Sequence, residues 1–208
     1  MNEDELDAIG FMFDAEHSKE TRTMRFGNDI EITFRMIGDQ PGHVQSGQYL
    51  WPAASFAGHH LIENWNALKA ANVIELGSGC GLTGLVVSKL PGVNSVVFTD
   101  YDNGSLELIR GNIDLNRTKD ASGQSLSVHY LKWGQAIPNE IKIDHAYPSD
   151  GFRLIVGADL LYCIEVVRPL FTTVRELLHS ENGLFMLTTS FKLDEVLFLL
   201  LSVIQKSL

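Results

Sequence analysis

Val73-Ile-Glu-Leu-Gly-Ser-Gly-Cys-Gly-Leu82 joins a short apolar run to three alternating glycines, Gly77, Gly79 and Gly81. The apolar part, Asn72 to Leu76, reads as a buried strand, and residues 82–90 read as the helix that follows. Glycines at a strand-to-helix turn let the backbone reverse sharply and let a ligand lie against it. In open parallel sheets such crevices lie at the carboxyl ends of the strands. The plainer alternative is a turn that is merely flexible.

Outward from this point the pattern repeats. Residues 94–100 predict a second strand, 103–116 a helix, and 126–131 a third strand. Residues 152–158 predict a fourth strand, 164–179 a helix, 183–189 a fifth strand and 193–206 a last helix. Upstream, the alternation over 22–37 fits a strand or hairpin turning at Gly27-Asn28-Asp29, and Pro41, Gly42, Gly47 and Pro52 break the chain after it. Phe56, Leu61, Trp65 and Leu68 then recur at helical spacing over 53–70. Strands apolar on both faces, alternating with helices, predict an α/β domain with a mostly parallel sheet covered on both sides. The expected organisation is an acidic, poorly ordered lead-in over 1–20 and one domain over 21–208.

The chain has 208 residues, 45% hydrophobic and 20% charged, the composition of an ordinary soluble globular protein. Sixteen Lys and Arg against 26 Asp and Glu give a net charge of −10, which argues against a broad phosphate-neutralising surface and hence against nucleic acid as a partner. Two cysteines, Cys80 and Cys163, favour a reducing compartment over a disulfide scaffold. The first twenty residues carry seven carboxylates and one lysine, unlike a secretory leader. The apolar run over 196–204 is about half the length that spans a bilayer, so no membrane is expected. The expected location is the cytoplasm, with the nucleus left open.

Two ligand classes compete for the glycine turn. A dinucleotide prefers Gly-x-Gly-x-x-Gly and a pyrophosphate on the helix N-terminus. Here the third glycine comes one residue early, and a carboxylate, Glu75, precedes the loop. A negative group there suits the amino group of S-adenosylmethionine better than it suits a pyrophosphate. The next strand ends in Asp100, nineteen positions beyond Gly81, where a carboxylate can accept both ribose hydroxyls; Asp102 is the fallback. His59-His60 resembles a metal pair, but adjacent helical residues point about 100° apart and no further ligands are spaced to join them, so no metal is expected.

GQYLWPAA, VIELGSGCGLTGL, VVFTDYD, NIDLN, LKWG and VGADLLY occur in that order over residues 47–162. Together they resemble the methyltransferase-like protein lysine methyltransferases, family 16 of the seven-β-strand class. The resemblance implies a Rossmann-like fold and S-adenosylmethionine as methyl donor. It implies that Trp51 lies beside the methionine part, Gly77, Ser78 and Gly79 beneath it, and Asp100 at the ribose. It further implies Trp133 against the adenine and Ala158 near the transferred methyl. For both tryptophans ordinary core packing stays open as an alternative. The family's Asp-x-x-Tyr element is matched by Asp159-Leu-Leu-Tyr162, implying that Asp159 and Tyr162 orient the acceptor amine; the alternative is that Asp159 caps a helix and Tyr162 packs.

The implied function is methyl transfer to a lysine side-chain amine of a protein. The runner-up is N-methylation of a small, nicotinamide-type amine, and a third reading is a non-catalytic cofactor- or partner-binding module. Two departures stand out. Lys132 replaces the acid that often precedes the tryptophan of the third-strand motif. The family continues into a terminal two-strand hairpin, whereas this sequence stops at Leu208, from which an uncovered apolar helix prone to self-association or partner binding is expected.

Overall fold

The computed structural model describes residues 19–38, 46–117 and 123–190. Lys19–Phe26 (β1) and Ile30–Ile37 (β2) pair antiparallel around a turn at 27–29. The hairpin matches the predicted alternation, although β1 begins inside the expected lead-in. Its apolar side chains Phe26, Ile32, Phe34 and Met36 are buried against the rest of the domain.

Five strands form a parallel sheet: Asn72–Leu76 (β3), Ser95–Asp100 (β4), Ser125–Tyr130 (β5), Leu154–Ala158 (β6) and Leu184–Thr188 (β7), in the order β5-β4-β3-β6-β7. The helices are Pro52–Leu68 (α1), Leu82–Ser88 (α2), Asn103–Asn116 (α3), Asn139–Lys142 (α4) and Val167–Leu177 (α5). Side chains alternate across each strand. Val73, Val96, Phe98, Leu154 and Val156 join the core shared with α1, α2, α3 and the hairpin. Ile74, Leu76, Val97 and Ile155 join the core shared with α4 and α5. Both faces are covered, as the apolar runs predicted.

The chain builds outward from β3 through β4 to β5, then returns to the other side of β3 to add β6 and β7. The connections leaving β3 and β6 therefore diverge, which opens a crevice at the carboxyl ends of those strands. Local differences from the predicted elements have local causes. The helix expected over 82–90 stops at Ser88, because Pro91 disfavours helical geometry at the residue before it. The helix expected over 164–179 opens as a single 3₁₀ turn, Ile164–Val166, and only then becomes α5. Among the described residues, no helix is long and apolar enough to cross a membrane, and β7 lies at the sheet edge. The helix expected over 193–206 falls outside the described residues, as do the first eighteen.

Candidate active site

The loop after β3 is built from left-handed backbone: Gly77, Gly79 and Gly81 have φ of +58°, +56° and +80°. Only glycine takes this conformation without steric cost, which accounts for the alternating spacing. A Cβ at Gly77 would come within 2.7 Å of Leu160 and 3.1 Å of Trp133. A Cβ at Gly79 would collide with the Gly47 carbonyl oxygen. The segment leading into α1 and the turn after β6 therefore both press on this loop.

A cavity of about 410 Å³, in the range of small-molecule sites, opens above it. Gly77 and Gly79 come from the loop and Asp100 from the end of β4. Trp51 comes from the entry to α1 and Trp133 from the turn after β5. Ala158, Asp159 and Tyr162 follow from the end of β6. Eight of the ten residues expected from the sequence thus line a single cavity.

Asp100 is 5% exposed. Its Oδ2 accepts the Gly79 N–H at 3.0 Å and its Oδ1 accepts the Asp102 N–H at 3.0 Å. Burial raises its pKa, and those backbone donors pull it back toward the charged form. A carboxylate offers about four lone-pair sites, so each oxygen retains room for a further donor such as a hydroxyl. Asp102, the fallback, also lines the cavity, but one of its oxygens is already occupied. As N-cap of α3, its Oδ2 accepts the Ser105 N–H at 2.7 Å, the Ser105 hydroxyl at 3.0 Å and Gln48 Nε2 at 3.4 Å.

Asp159 is 8% exposed and holds a left-handed φ of +53°. That conformation is uncommon outside glycine, although Asp is among the residues that tolerate it. It is fixed on every side. The Asp159 N–H donates to Thr188 O at 2.8 Å, Oδ1 accepts the Ser190 N–H at 2.7 Å, and Oδ2 accepts the Ser190 hydroxyl at 2.8 Å and the Ala53 N–H at 3.2 Å. Tyr162 is 59% exposed at the cavity. Partial burial and then the neighbouring Tyr101 raise its phenol pKa, so it keeps its proton at neutral pH.

Glu75 and Ser78 do not line the cavity. Strand alternation turns Glu75 to the same face as Val73, toward α2, where its carboxyl is 3% exposed and reaches Gly84 in that helix. Burial pushes its pKa up to about 8, so at neutral pH it is mostly an uncharged acid. Glu75 therefore lies beneath the loop, outside the residues that line the cavity. Ser78 ties the loop to the sheet: its hydroxyl donates to Glu75 O at 3.3 Å and accepts the Thr99 N–H at 3.1 Å.

Gly47, Tyr101 and Leu160 also line the cavity but were not singled out from the sequence. All three lie inside the motif strings, so position within those strings was the signal to use. Among the described residues no three His, Cys, Asp or Glu side chains gather as a metal set. His59 instead lies against Phe26, with ring centroids 4.9 Å apart.

A sequence profile of the lysine methyltransferase family matches residues 34–201, well over half of the chain. The chain belongs to the lysine methyltransferase family. Over 142 residues it is 31% identical to the protein-lysine N-methyltransferase EEF2KMT of Mus musculus, covering 65% of this chain and 41% of that relative. Over 152 residues it is 28% identical to the protein N-terminal and lysine N-methyltransferase EFM7 of Cryptococcus neoformans, covering 73% of this chain and 48% of the relative. The chain thus spans less than half the length of these curated relatives. The fold is shared with a putative SAM-dependent methyltransferase of Streptococcus mutans, with a TM-score of 0.53, 14% identity and coverage of 87% of this chain and 45% of the other.

Proposed function

We propose that this domain binds S-adenosylmethionine in the 410 Å³ cavity and transfers its methyl group to a lysine amine of a protein. The observation that carries the reading is the convergence, in that cavity, of the glycine loop, Asp100, two tryptophans and the Asp159–Tyr162 pair. The chemistry of the lining suits such a ligand. Asp100 has free acceptor capacity for a ribose diol, and Trp51 and Trp133 offer aromatic faces to an adenine and to a sulfonium. When bound, S-adenosylmethionine supplies an electrophilic methyl group to an uncharged amine.

The residues must therefore handle a lysine that is charged in water. With a pKa near 10.4, roughly one lysine in a thousand is neutral at pH 7. Tyr162, protonated and half in solvent, can accept a hydrogen bond from the amine through its phenol oxygen and aim the nitrogen lone pair inward. Asp159 already holds three donors on its carboxylate. Its role in this reading is electrostatic and positional: it holds the entry to α1, and with it Trp51, against the end of β6. The names of the relatives support a protein amine as acceptor, and the two free cysteines support a reducing compartment such as the cytoplasm.

The test is incubation with isotope-labelled S-adenosylmethionine and a lysate from cells lacking this protein. Label on a protein band, traced to lysine by mass spectrometry, is the expected result. Label confined to small molecules would favour the small-amine alternative, and no transfer alongside clear donor binding would favour a binding module.

A further inference from the structure

Asn112 lies in the middle of α3 with 0% exposure, where a primary amide is costly to bury unless all its hydrogen-bonding capacity is used. It is used. Oδ1 accepts the Arg35 N–H at 2.7 Å, while Nδ2 donates to Arg35 O at 2.9 Å and to Cys80 O at 2.8 Å. One turn later Asn116 repeats the first part of this pattern. Its Oδ1 accepts the Thr33 N–H at 3.1 Å and its Nδ2 donates to Thr33 O at 2.7 Å.

Thr33 and Arg35 are alternate residues of β2, whose other edge is paired with β1. The two amides therefore act as a side-chain strand on the free edge of the hairpin, satisfying the groups a neighbouring strand would satisfy. The two asparagines then diverge. Asn116 spends its remaining hydrogen on Asn112 O at 2.7 Å, within α3. Asn112 spends its own on the glycine loop, at the residue between Gly79 and Gly81. A segment with three left-handed glycines has much conformational freedom to lose, so an anchor on its central carbonyl bears directly on how well the loop is preorganised.

We propose that Asn112 is a positioning residue for the methyl donor, holding the Cys80 carbonyl so that the glycine loop is set for binding and coupled to the β1–β2 hairpin, whereas Asn116 serves the hairpin alone. This rests on the methyl-donor reading above. A role confined to docking the hairpin would make the two asparagines equivalent. A role in the loop makes them differ in donor affinity, not in stability.

The experiment compares the full chain with Asn112→Ala and Asn116→Ala, reading Tm and the Kd for S-adenosylhomocysteine by calorimetry. Both variants should lose comparable Tm. Asn112→Ala should weaken binding about tenfold, the effect of losing one organising hydrogen bond, and Asn116→Ala by less than about twofold. Should Asn112→Ala fail to fold, amide exchange on the wild type decides. Saturating S-adenosylhomocysteine should slow exchange of the Arg35 amide, whose acceptor is Asn112, and leave that of Thr33 unchanged. Equal Kd values for the two variants, or equal exchange at the two amides, overturn the proposal. A wild-type chain that does not bind S-adenosylhomocysteine overturns the methyl-donor reading and this inference with it, whereas normal wild-type binding with indistinguishable variants overturns this inference alone.

Discussion

Ala53 donates its backbone N–H to Asp159 Oδ2 at 3.2 Å, joining the first turn of α1 to the end of β6 across 106 positions of the chain. The first turn of any helix leaves N–H groups without partners inside the helix, and Trp51, the N-cap of α1, supplies no side-chain cap. A carboxylate from another element fills that place, where the helix dipole also favours negative charge. The residue that caps α1 is therefore also a wall of the cavity. Capping and catalysis, alternatives when read from the sequence, are compatible in one side chain.

Asp159→Asn separates the two roles. The amide keeps the shape but removes the charge and points N–H groups at existing donors, so stability should fall by about 1–2 kcal/mol. If the charge also acts on the amine, turnover should fall about a hundredfold while the Kd for S-adenosylhomocysteine changes by less than about threefold. Steady-state kinetics beside calorimetry checks this, and proportional losses in both would leave Asp159 as a cap alone.

Asp100 and Asp102 should behave as opposites despite lying two residues apart. Asp100→Ala removes the acceptor offered to a ribose diol, with each charge-assisted hydrogen bond worth about 1.5–3 kcal/mol, so donor binding should weaken at least about tenfold. Asp102→Ala removes the N-cap of α3 and should cost about 1 kcal/mol of stability with little change in binding. Thermal shift with and without S-adenosylhomocysteine reads both. Wild-type affinity in Asp100→Ala would rule out the ribose assignment.

The sheet and its glycine turn were legible because their signals are local. β3, β4 and β6 are short, mostly apolar runs, and the alternating glycines mark a backbone that only glycine adopts without cost. The cavity followed, since the connections leaving β3 and β6 diverge at the carboxyl ends of the strands. What was not legible depends on partners distant in sequence. Nothing near Asp159 indicates that its donors are Ala53 and Ser190, and nothing near Asn112 indicates Arg35 and Cys80. The short α4 is held by Ile137 and Ile141 in the core on one side of the sheet and carries too few residues for a periodic signal. Glu75 is the instructive case. Its place on the Val73 face of β3 follows from simple alternation, whereas its depth beneath the loop depends on how α2 packs over it.

His129 Nε2 and Asp144 Oδ2 lie 2.6 Å apart and fasten the segment after α4 to the edge strand β5. Burial raises the Asp144 pKa, but the Ala146 N–H, His129 and Ser127 outweigh it and leave the carboxyl below its usual value. A lowered acid contributes stability that is present above its unfolded pKa and lost as pH falls through the lowered folded value. Wild type should therefore exceed Asp144→Asn in urea unfolding at pH 7, and the gap should close on acidification below about pH 4. A gap independent of pH would mean that the pair acts through shape alone.

Glu75 makes the opposite prediction. Burial pushes its carboxyl from an ordinary value of 4.5 up to about 8, against the pull of Ser78, Thr83 and the Gly84 N–H, while the charge of Asp100 adds to the rise. Neither Glu75 Oε2 nor Thr83 Oγ1 completes a hydrogen bond, so the site holds a buried acid more comfortably than a buried anion. Between about pH 4.5 and pH 8 the folded chain keeps this proton and the unfolded chain releases it. The folded state then binds more protons, so stability contributed by this group falls as pH rises through that window and levels off above it. Glu75→Gln keeps the volume and the neutral character at every pH. Its stability relative to wild type should therefore rise steadily with pH across the window, in urea unfolding at several pH values from about 5 to about 8.5. The variant's effect on donor affinity should be small, because Glu75 lies beneath the glycine loop and not in the cavity. If the two proteins keep a constant difference across that range, Glu75 is ionised in the folded chain throughout, and the space beneath the loop must stabilise its charge.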